Sequence, residues 1–217
     1  MTMTEKPAIE RLPVNAAFAE PADSAAIERA AEALRAHNIA VEIVPDGNAA
    51  RDLLLSLIPD GASVGQGASV TLDSIGVTEV IDNSGRYDAI RPRTRAMDRA
   101  TQMSEIRKLG SAPDVQISSV QAVTEDGSIV GASFGGSQLA PIAFGAGRVI
   151  LVVGAQKIVP DLATAIRRVE EYSYPIEDVR LQEAMGRRSS IGKILIVNRE
   201  PGPGRITVIL VREPVGI

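Results

Sequence analysis

A glycine-rich loop followed by two hydroxyl side chains is the first part of the sequence that could bind a ligand. A predicted buried strand runs into Gly65, Gln66 and Gly67, and Ser69 and Thr71 follow at a predicted helix start. Glycines allow a ligand to approach the backbone closely, and free N–H groups at a helix N-terminus attract anions. The spacing matches neither the dinucleotide-binding fingerprint nor the P-loop. The loop is therefore either an anion-binding loop or a plain turn in which Ser69 caps the helix.

A polar segment after the next predicted strand carries the candidate catalytic residue. Residues 115–120 read as a buried strand, so Gln121 lies near its C-terminal end, where open α/β sheets bind ligands. The sequence Thr124-Glu-Asp-Gly then has the residue types of a tight hairpin turn. Glu125 could act as an acid, a base or a nucleophile if it points toward a pocket. Otherwise it is a solvated turn carboxylate.

Two further segments place small or charged residues at predicted strand ends. Gly135, Gly136 and Ser137 precede an apolar segment predicted as a helix, which suits either an anionic group or tight packing. Lys157 follows the continuous apolar run of residues 149–153, which is typical of a central strand. A surface lysine is the alternative interpretation of Lys157, because lysine is mostly exposed in proteins.

The elements that must position these residues alternate between strands and helices along most of the chain. This alternation predicts right-handed βαβ units around a mainly parallel sheet, in a single domain over residues 23–217 after an extended arm at 1–22. Because the ligand site of such a sheet lies at its strand ends, we expect a pocket for a small carboxylate or phosphate-bearing ligand. Its predicted lining is Ser69, Gln121, Ser137 and Lys157.

The composition excludes several classes of function. The 217 residues contain no cysteine, so thiolate nucleophiles, disulfides, zinc–sulfur sites and iron–sulfur ligation are excluded. The single histidine, His37, cannot form a multi-histidine metal site, and the sequence predicts no metal and no cofactor. A formal charge of −4 argues against a nucleic-acid partner. No apolar run approaches the length of a membrane span, so we expect a cytoplasmic protein; the oligomeric state is not predicted.

Some local predictions concern segments outside these motifs. The arginine-rich residues 86–107 read as a loop followed by a polar helix, with either a ligand-clamping role or a solvated face. In the second case Asp98 and Glu105 would be counterions. Asn48 is a candidate N-cap, and Pro175 predicts a turn between two helices.

The motifs together resemble the lactate-utilisation (LUD) domain family over residues 23–217. The resemblance is carried by GASVGQGASVTLDSIGV, SSVQAVTEDGSIV, VGAQKIVPDLATAIRRVEEYSYPIEDVR and RITVILVREPVG. It implies a three-layer α/β/α sandwich with a Rossmann-like sheet, related to the fold of ribose-5-phosphate isomerase, glucosamine-6-phosphate deaminase and CoA transferases. By the same resemblance, residues 65–71 correspond to an anion-binding loop, and residues 121–126 fall where those enzymes keep catalytic acids.

The function that the resemblance implies is a non-redox, ligand-binding or accessory part in the oxidation of L-lactate, or a related 2-hydroxy acid, to pyruvate. Iron–sulfur partner proteins would then supply the redox chemistry. Two departures bear on alternatives: Gln121 stands where many family members have Asn or Asp, and residues 131–136 lack the lysine that the isomerases carry there. The alternative is an independent CoA-transferase-like or isomerase-like enzyme that uses Glu125.

Overall fold

Helices and strands alternate through the computed structural model, which describes residues 11–217. The strands are β1 (Ala40–Val44), β2 (Ser63–Gln66), β3 (Asp88–Ala89), β4 (Val115–Ser118), β5 (Ala122–Thr124), β6 (Ile129–Ser133), β7 (Arg148–Gly154), β8 (Ile158–Val159), β9 (Lys193–Val197) and β10 (Ile206–Val211). The α-helices are α1 (Ser24–Ala36), α2 (Gly47–Leu57), α3 (Val70–Ser74), α4 (Val77–Asn83), α5 (Ile90–Ala96), α6 (Met103–Ser111), α7 (Leu162–Arg168) and α8 (Tyr174–Met185). Short 3₁₀ turns lie at Ala16–Ala19 and Ala155–Lys157, and π-helical turns at Pro141–Gly145 and Val169–Ser173.

A six-stranded parallel sheet forms the middle layer, in the order β1-β10-β7-β4-β2-β3. Strand β7 is central and its apolar residues are fully buried on both faces, as the unbroken apolar run predicts. On one face Val149 and Leu151 pack with residues of α1, and on the other Ile150 and Val152 pack with residues of α2 and α4. The predicted three-layer α/β architecture with a mainly parallel sheet is confirmed.

A second, smaller sheet, whose strands alternate along the chain with those of the main sheet, was not predicted. Its order is β8-β5-β6-β9: β6 pairs antiparallel with both β5 and β9, and β8 pairs parallel with β5. Helix α7 covers it through Ala165, and Val169 just beyond the helix, which pack on Ala122, Val130 and Val159. The two last strands, which look alike in the sequence, therefore belong to different sheets.

Carboxylates cap three of the helices. Asp23, Asp46 and Asp161 accept hydrogen bonds from backbone N–H groups of the first turns of α1, α2 and α7, at 2.7, 2.9 and 2.7 Å. Asp46, and not Asn48, is the N-cap of α2, so that prediction is wrong. Helix α2 begins at Gly47, directly after the bend at Pro45 and Asp46, so Asn48 is the second residue of the helix.

The predicted turn at Pro175 is also wrong. The π-helical turn Val169–Ser173 leads directly into α8, and Pro175 sits buried in the first turn of that helix. Because helical residues precede Pro175, its missing N–H removes one hydrogen bond of the helical ladder, and this break falls directly after the π-helical turn. The wider π turn ahead of it lets the chain remain helical from Leu162 to Met185.

The N-terminal arm is described from residue 11 onward, and the predicted stretch 1–10 lies outside the described residues. The arm contains the 3₁₀ turn Ala16–Ala19, and Asn15 joins it to Glu171 by backbone and side-chain hydrogen bonds of 2.8 Å. Within residues 11–217 no helix combines the length and apolar character needed to cross a membrane.

Candidate functional site

Lys157 is buried at the C-terminal end of the central strand. Strand β7 ends at Gly154, and the 3₁₀ turn that follows directs the Lys157 side chain into the protein, where the residue is 2% exposed. Its Nζ donates to Thr71 Oγ1 at 2.9 Å and to Ser119 Oγ at 3.0 Å. Among the described residues no carboxylate forms an ion pair with it. A buried ammonium held only by neutral hydroxyls is unusual, since buried charges are normally paired.

A second buried cation lies beside Lys157. Arg168, at the end of α7, is fully buried, and its guanidinium donates to the carbonyls of Gln121, Gln156 (3.1 Å) and Phe18 (3.4 Å) and to Ser173 Oγ (3.1 Å). It also stacks over the Tyr172 ring, 4.9 Å from the ring centre. These partners are neutral, so Arg168 fixes the backbone around the site and leaves its charge uncompensated.

The two cations and their burial shift the acid–base behaviour of the site. Burial, and to a smaller extent the neighbouring charge of Arg168, lower the pKa of Lys157 to about 7. Burial likewise lowers the pKa of Arg168 to about 10. A positive, poorly hydrated region of this kind favours binding of an anion, which would supply the missing counter-charge.

The chain after β10 forms a strap across the site, at residues 212–217. The Gln156 amide holds it by donating to the carbonyls of Val215 (3.0 Å) and Gly216 (3.1 Å) and by accepting from Val215 N (3.3 Å). Gly216 has a φ of +72°, and a Cβ at this position would lie 2.1 Å from Thr71 Oγ1. The strap therefore lies directly on the hydroxyl that Lys157 contacts, and a solute that enters from this side must displace it.

Of the five residues predicted in the first glycine loop, Thr71 makes the contact to Lys157. Ser69 Oγ accepts from Leu72 N at 3.3 Å, which is the capping role considered for it. The space beside Gly65 is filled by Gln116 and Pro113, and the space beside Gly67 by Gln138. These glycines thus permit close packing of side chains.

The side chain of Gln66 points to a different cluster. Its Nε2 donates to Asp82 Oδ1 at 2.7 Å, and the other oxygen of Asp82 accepts from Arg91 Nε at 2.9 Å. This links the end of β2 to α4 and α5. Arg91 belongs to the arginine-rich segment, in which Arg86 and Arg93 are likewise paired, with Asp60 and Asp88.

The prediction that Asp98 and Glu105 are the counterions of the arginine-rich segment is therefore wrong. Asp98 instead accepts from Ala100 N and Thr101 Oγ1, both at local turn spacing, and these hydrogen bonds lower its pKa. The ion pairs of the segment come from Asp60 and Asp82, which precede it in the chain, and from Asp88 within it.

Gln121 and the second glycine-rich stretch surround the site without touching Lys157. Gln121 Oε1 accepts from Ala132 N at 2.6 Å, and its carbonyl accepts from Arg168. Gly136 adopts a φ of +86° against the Lys193 side chain, and Gly135 borders open space. Next to Ser137, the Gln138 amide donates to Ala68 O at 3.2 Å, which ties this stretch to the first loop. All four predicted segments therefore meet at one end of the sheet.

Glu125 lies in the hairpin turn and faces helix α1. Its carboxylate accepts from Arg29 Nε at 2.6 Å, and its side chain is 24% exposed. The same turn docks on α1 through the Gly127 carbonyl, 3.2 Å from His37 Nδ1. A catalytic role for Glu125 stays a prediction.

Replacing Glu125 by glutamine tests that role. Because Arg29 is exposed and Glu125 is only half-buried, we expect Glu125→Gln to lower the free energy of unfolding by less than about 1 kcal/mol in urea titrations. Arg29→Gln serves as the matched control and should give the same small change. If Glu125→Gln, but not Arg29→Gln, abolished a turnover of acyl-CoA or sugar phosphate, Glu125 would be the catalytic carboxylate.

The sequence analysis did not select three residues that contribute to the site: Ser119, Gln156 and Arg168. Ser119 precedes Gln121 by two residues, so it lies at the same end of β4 to which the sequence assigns Gln121. Arg168 falls on the inward helical face with Ala165, whereas Arg167 is exposed and pairs with Glu171 at i, i+4. The helical period distinguishes the two arginines once the helix is placed. Gln156 had no comparable signal.

The described residues contain no group of three or more His, Cys, Asp or Glu side chains arranged to hold a metal ion. The parallel sheet with helices on both faces defines an α/β protein, and its buried cationic cluster lies at the strand ends, where this architecture usually binds ligands.

Comparison with known families identifies the chain more closely. Residues 27–211 match the LUD domain, so the chain belongs to the LUD domain family. Among solved structures it is similar to a crystal structure of a DUF162 family protein from Deinococcus radiodurans, with a TM-score of 0.55 and 12% sequence identity over 88% of this chain and 99% of the other. That likeness supports the fold. A search of curated proteins finds no match.

Proposed function

We propose that the chain is a ligand-binding accessory component in the oxidation of L-lactate, or a related 2-hydroxy acid, to pyruvate. The family to which it belongs is associated with lactate utilisation. The observation that carries the proposal is the pair of buried cations, Lys157 and Arg168, which have no carboxylate partner among the described residues.

A small carboxylate suits this site on charge and on hydrogen bonding. Lys157 has three N–H donors and uses two of them on Thr71 and Ser119, so a third is available to a carboxylate oxygen. The two hydroxyls can accept from or donate to the 2-hydroxyl of the ligand. Arg168 is occupied by protein acceptors and would act through its charge.

The redox chemistry is assigned to partner proteins in this proposal. The chain has no cysteine and one histidine, so it lacks the usual ligands of an iron–sulfur cluster. Iron–sulfur proteins of the same pathway would accept the electrons, and the chain would bind the hydroxy acid or its product.

A thermal-shift series tests the binding role. We expect L-lactate and pyruvate to raise the melting temperature, because saturation at a hundredfold excess over the dissociation constant adds about 2.7 kcal/mol to stability. Lys157→Met should abolish the shift, whereas the matched control Lys108→Met, at an exposed lysine of α6, should retain it.

Phosphate and sulfate should be included to separate carboxylate recognition from general anion binding. A shift with these inorganic anions alone would contradict the carboxylate assignment. Equal shifts in the wild type and in Lys157→Met would contradict the placement of the ligand at Lys157.

A further inference from the structure

The amine of Lys157 has the surroundings of a nucleophile. Lysine side chains become reactive toward carbonyl groups when they are desolvated or placed next to another cation. Lys157 meets both conditions, because it is 2% exposed and Arg168 is the neighbouring charge. Its pKa of about 7 leaves a large fraction of the amine unprotonated at neutral pH.

The two hydroxyls are placed to assist a reaction at Nζ. Thr71 Oγ1 and Ser119 Oγ lie 2.9 and 3.0 Å from the nitrogen, on different chain segments. A carbonyl carbon bonded to Nζ carries its oxygen within reach of these hydroxyls, which can donate to that oxygen and relay protons. Both hydroxyls are neutral, so neither holds the amine in its protonated form.

We propose that Lys157 condenses with the carbonyl group of a 2-oxo acid to form an imine. The inference rests on the proposed function, since it names the 2-oxo acid as the substrate class of the same site. A 2-hydroxy acid has no carbonyl carbon at this position, so the site would hold the two acids differently: the hydroxy acid by ion pairing and the oxo acid covalently.

The step balances without an oxidant or a reductant. The lone pair of the Lys157 amine forms the N–C bond, and the carbonyl π electrons move to the oxygen, which takes up a proton that the new ammonium nitrogen releases. The carbinolamine oxygen takes up a second proton, from solvent through the Thr71 and Ser119 hydroxyls, and leaves as water while the nitrogen lone pair forms the C=N bond of a protonated imine. A protonated imine keeps a positive charge next to the carboxylate of the same ligand, so the charge match of the site is preserved.

Reductive trapping of the whole chain tests this inference. The protein is incubated with pyruvate and cyanoborohydride, which reduces an imine to a stable secondary amine, and is then analysed by intact mass and peptide mapping. We expect a single reduced adduct on Lys157, at a level at least about tenfold above that on Lys108 and Lys193, because Lys157 is desolvated beside Arg168 whereas the other two lysines are exposed. L-lactate should give no adduct.

The exposed lysines of the wild-type protein serve as internal controls, so the test remains valid even if a Lys157 variant fails to fold. Lys157→Met provides a second control and should lose the intact-mass adduct. Adducts spread evenly over the exposed lysines, or none at all, overturn the imine. Thermal stabilisation by both acids without an adduct overturns the imine alone, whereas absence of stabilisation by either acid also overturns the proposed binding function.

Discussion

Arg168→Met is expected to lower the free energy of unfolding by about 5 kcal/mol, and by about 1 kcal/mol at the least, in urea or guanidinium titrations. The buried guanidinium donates to Gln121, Gln156, Phe18 and Ser173. Each buried acceptor that loses its donor costs about 1–3 kcal/mol. Removal of the charge gives back about 3 kcal/mol, because burial lowers the pKa of Arg168 well below its ordinary value, to about 10. The lost hydrogen bonds exceed this gain.

Arg167→Met is the matched control for this variant. The neighbouring arginine is exposed and forms an i, i+4 pair with Glu171, so its loss should cost about 0.5 kcal/mol or less. Equal effects of the two substitutions would mean that Arg168 does not hold the strand ends together.

Lys157→Met is expected to change the pH dependence of stability. The pKa of Lys157 is lowered in the folded protein to about 7, from an ordinary 10.5, so between these two values the unfolded chain binds the proton that the folded chain has released. Stability of the wild type therefore rises with pH across this window, at up to about 1.4 kcal/mol per pH unit from this group, and the cost of the buried charge is fully present below pH 7.

The variant lacks this group, so the difference between wild type and Lys157→Met isolates it. At pH 6 the variant should be the more stable protein, although Thr71 and Ser119 lose hydrogen bonds worth about 1 kcal/mol each. At pH 10 the advantage should vanish or reverse. Lys108→Met, at an exposed position, should follow the wild-type curve throughout. Parallel curves for wild type and Lys157→Met would mean that Lys157 is not held as a desolvated cation.

The main sheet could be predicted from the sequence because its physical signal is local. The apolar run at residues 149–153 has no polar face, and this is what a strand buried on both sides requires. The second sheet gave no such signal, because β9 alternates between exposed Ile194 and Ile196 and inward positions and resembles any edge strand. Which sheet a strand joins depends on long-range pairing, which periodicity does not encode.

The sequence predicts which segments surround the site, but it does not predict which side chains touch one another there. Lys157 was selected because it follows the central strand, and Thr71 because it begins a helix after a glycine loop; the structure brings their side chains within 2.9 Å. Gln66 and Gln121 were selected by the same reasoning, but their amides hydrogen-bond to Asp82 and to a backbone N–H. Position at a strand end is visible in a sequence, whereas side-chain direction depends on partners from distant segments.

The covering strap could not be predicted either. Residues 212–217 look like a polar tail after the last strand, and their contact with Gln156 joins residues about sixty positions apart. Its consequence is functional, since the strap lies on Thr71, a hydrogen-bond partner of the buried Lys157, and therefore bears on the route by which a ligand enters.

Calorimetric titration of the protein with L-lactate and pyruvate at pH 8 is the most direct test of the central claim that Lys157 binds a small carboxylate. Most Lys157 amines are unprotonated at this pH, and an ion pair with the carboxylate restores the proton. Titrations in buffers of different ionisation enthalpy should therefore show uptake of close to one proton per bound L-lactate, and Lys157→Met should show neither binding nor uptake. Binding of L-lactate with no proton uptake, and unchanged in Lys157→Met, would contradict the claim.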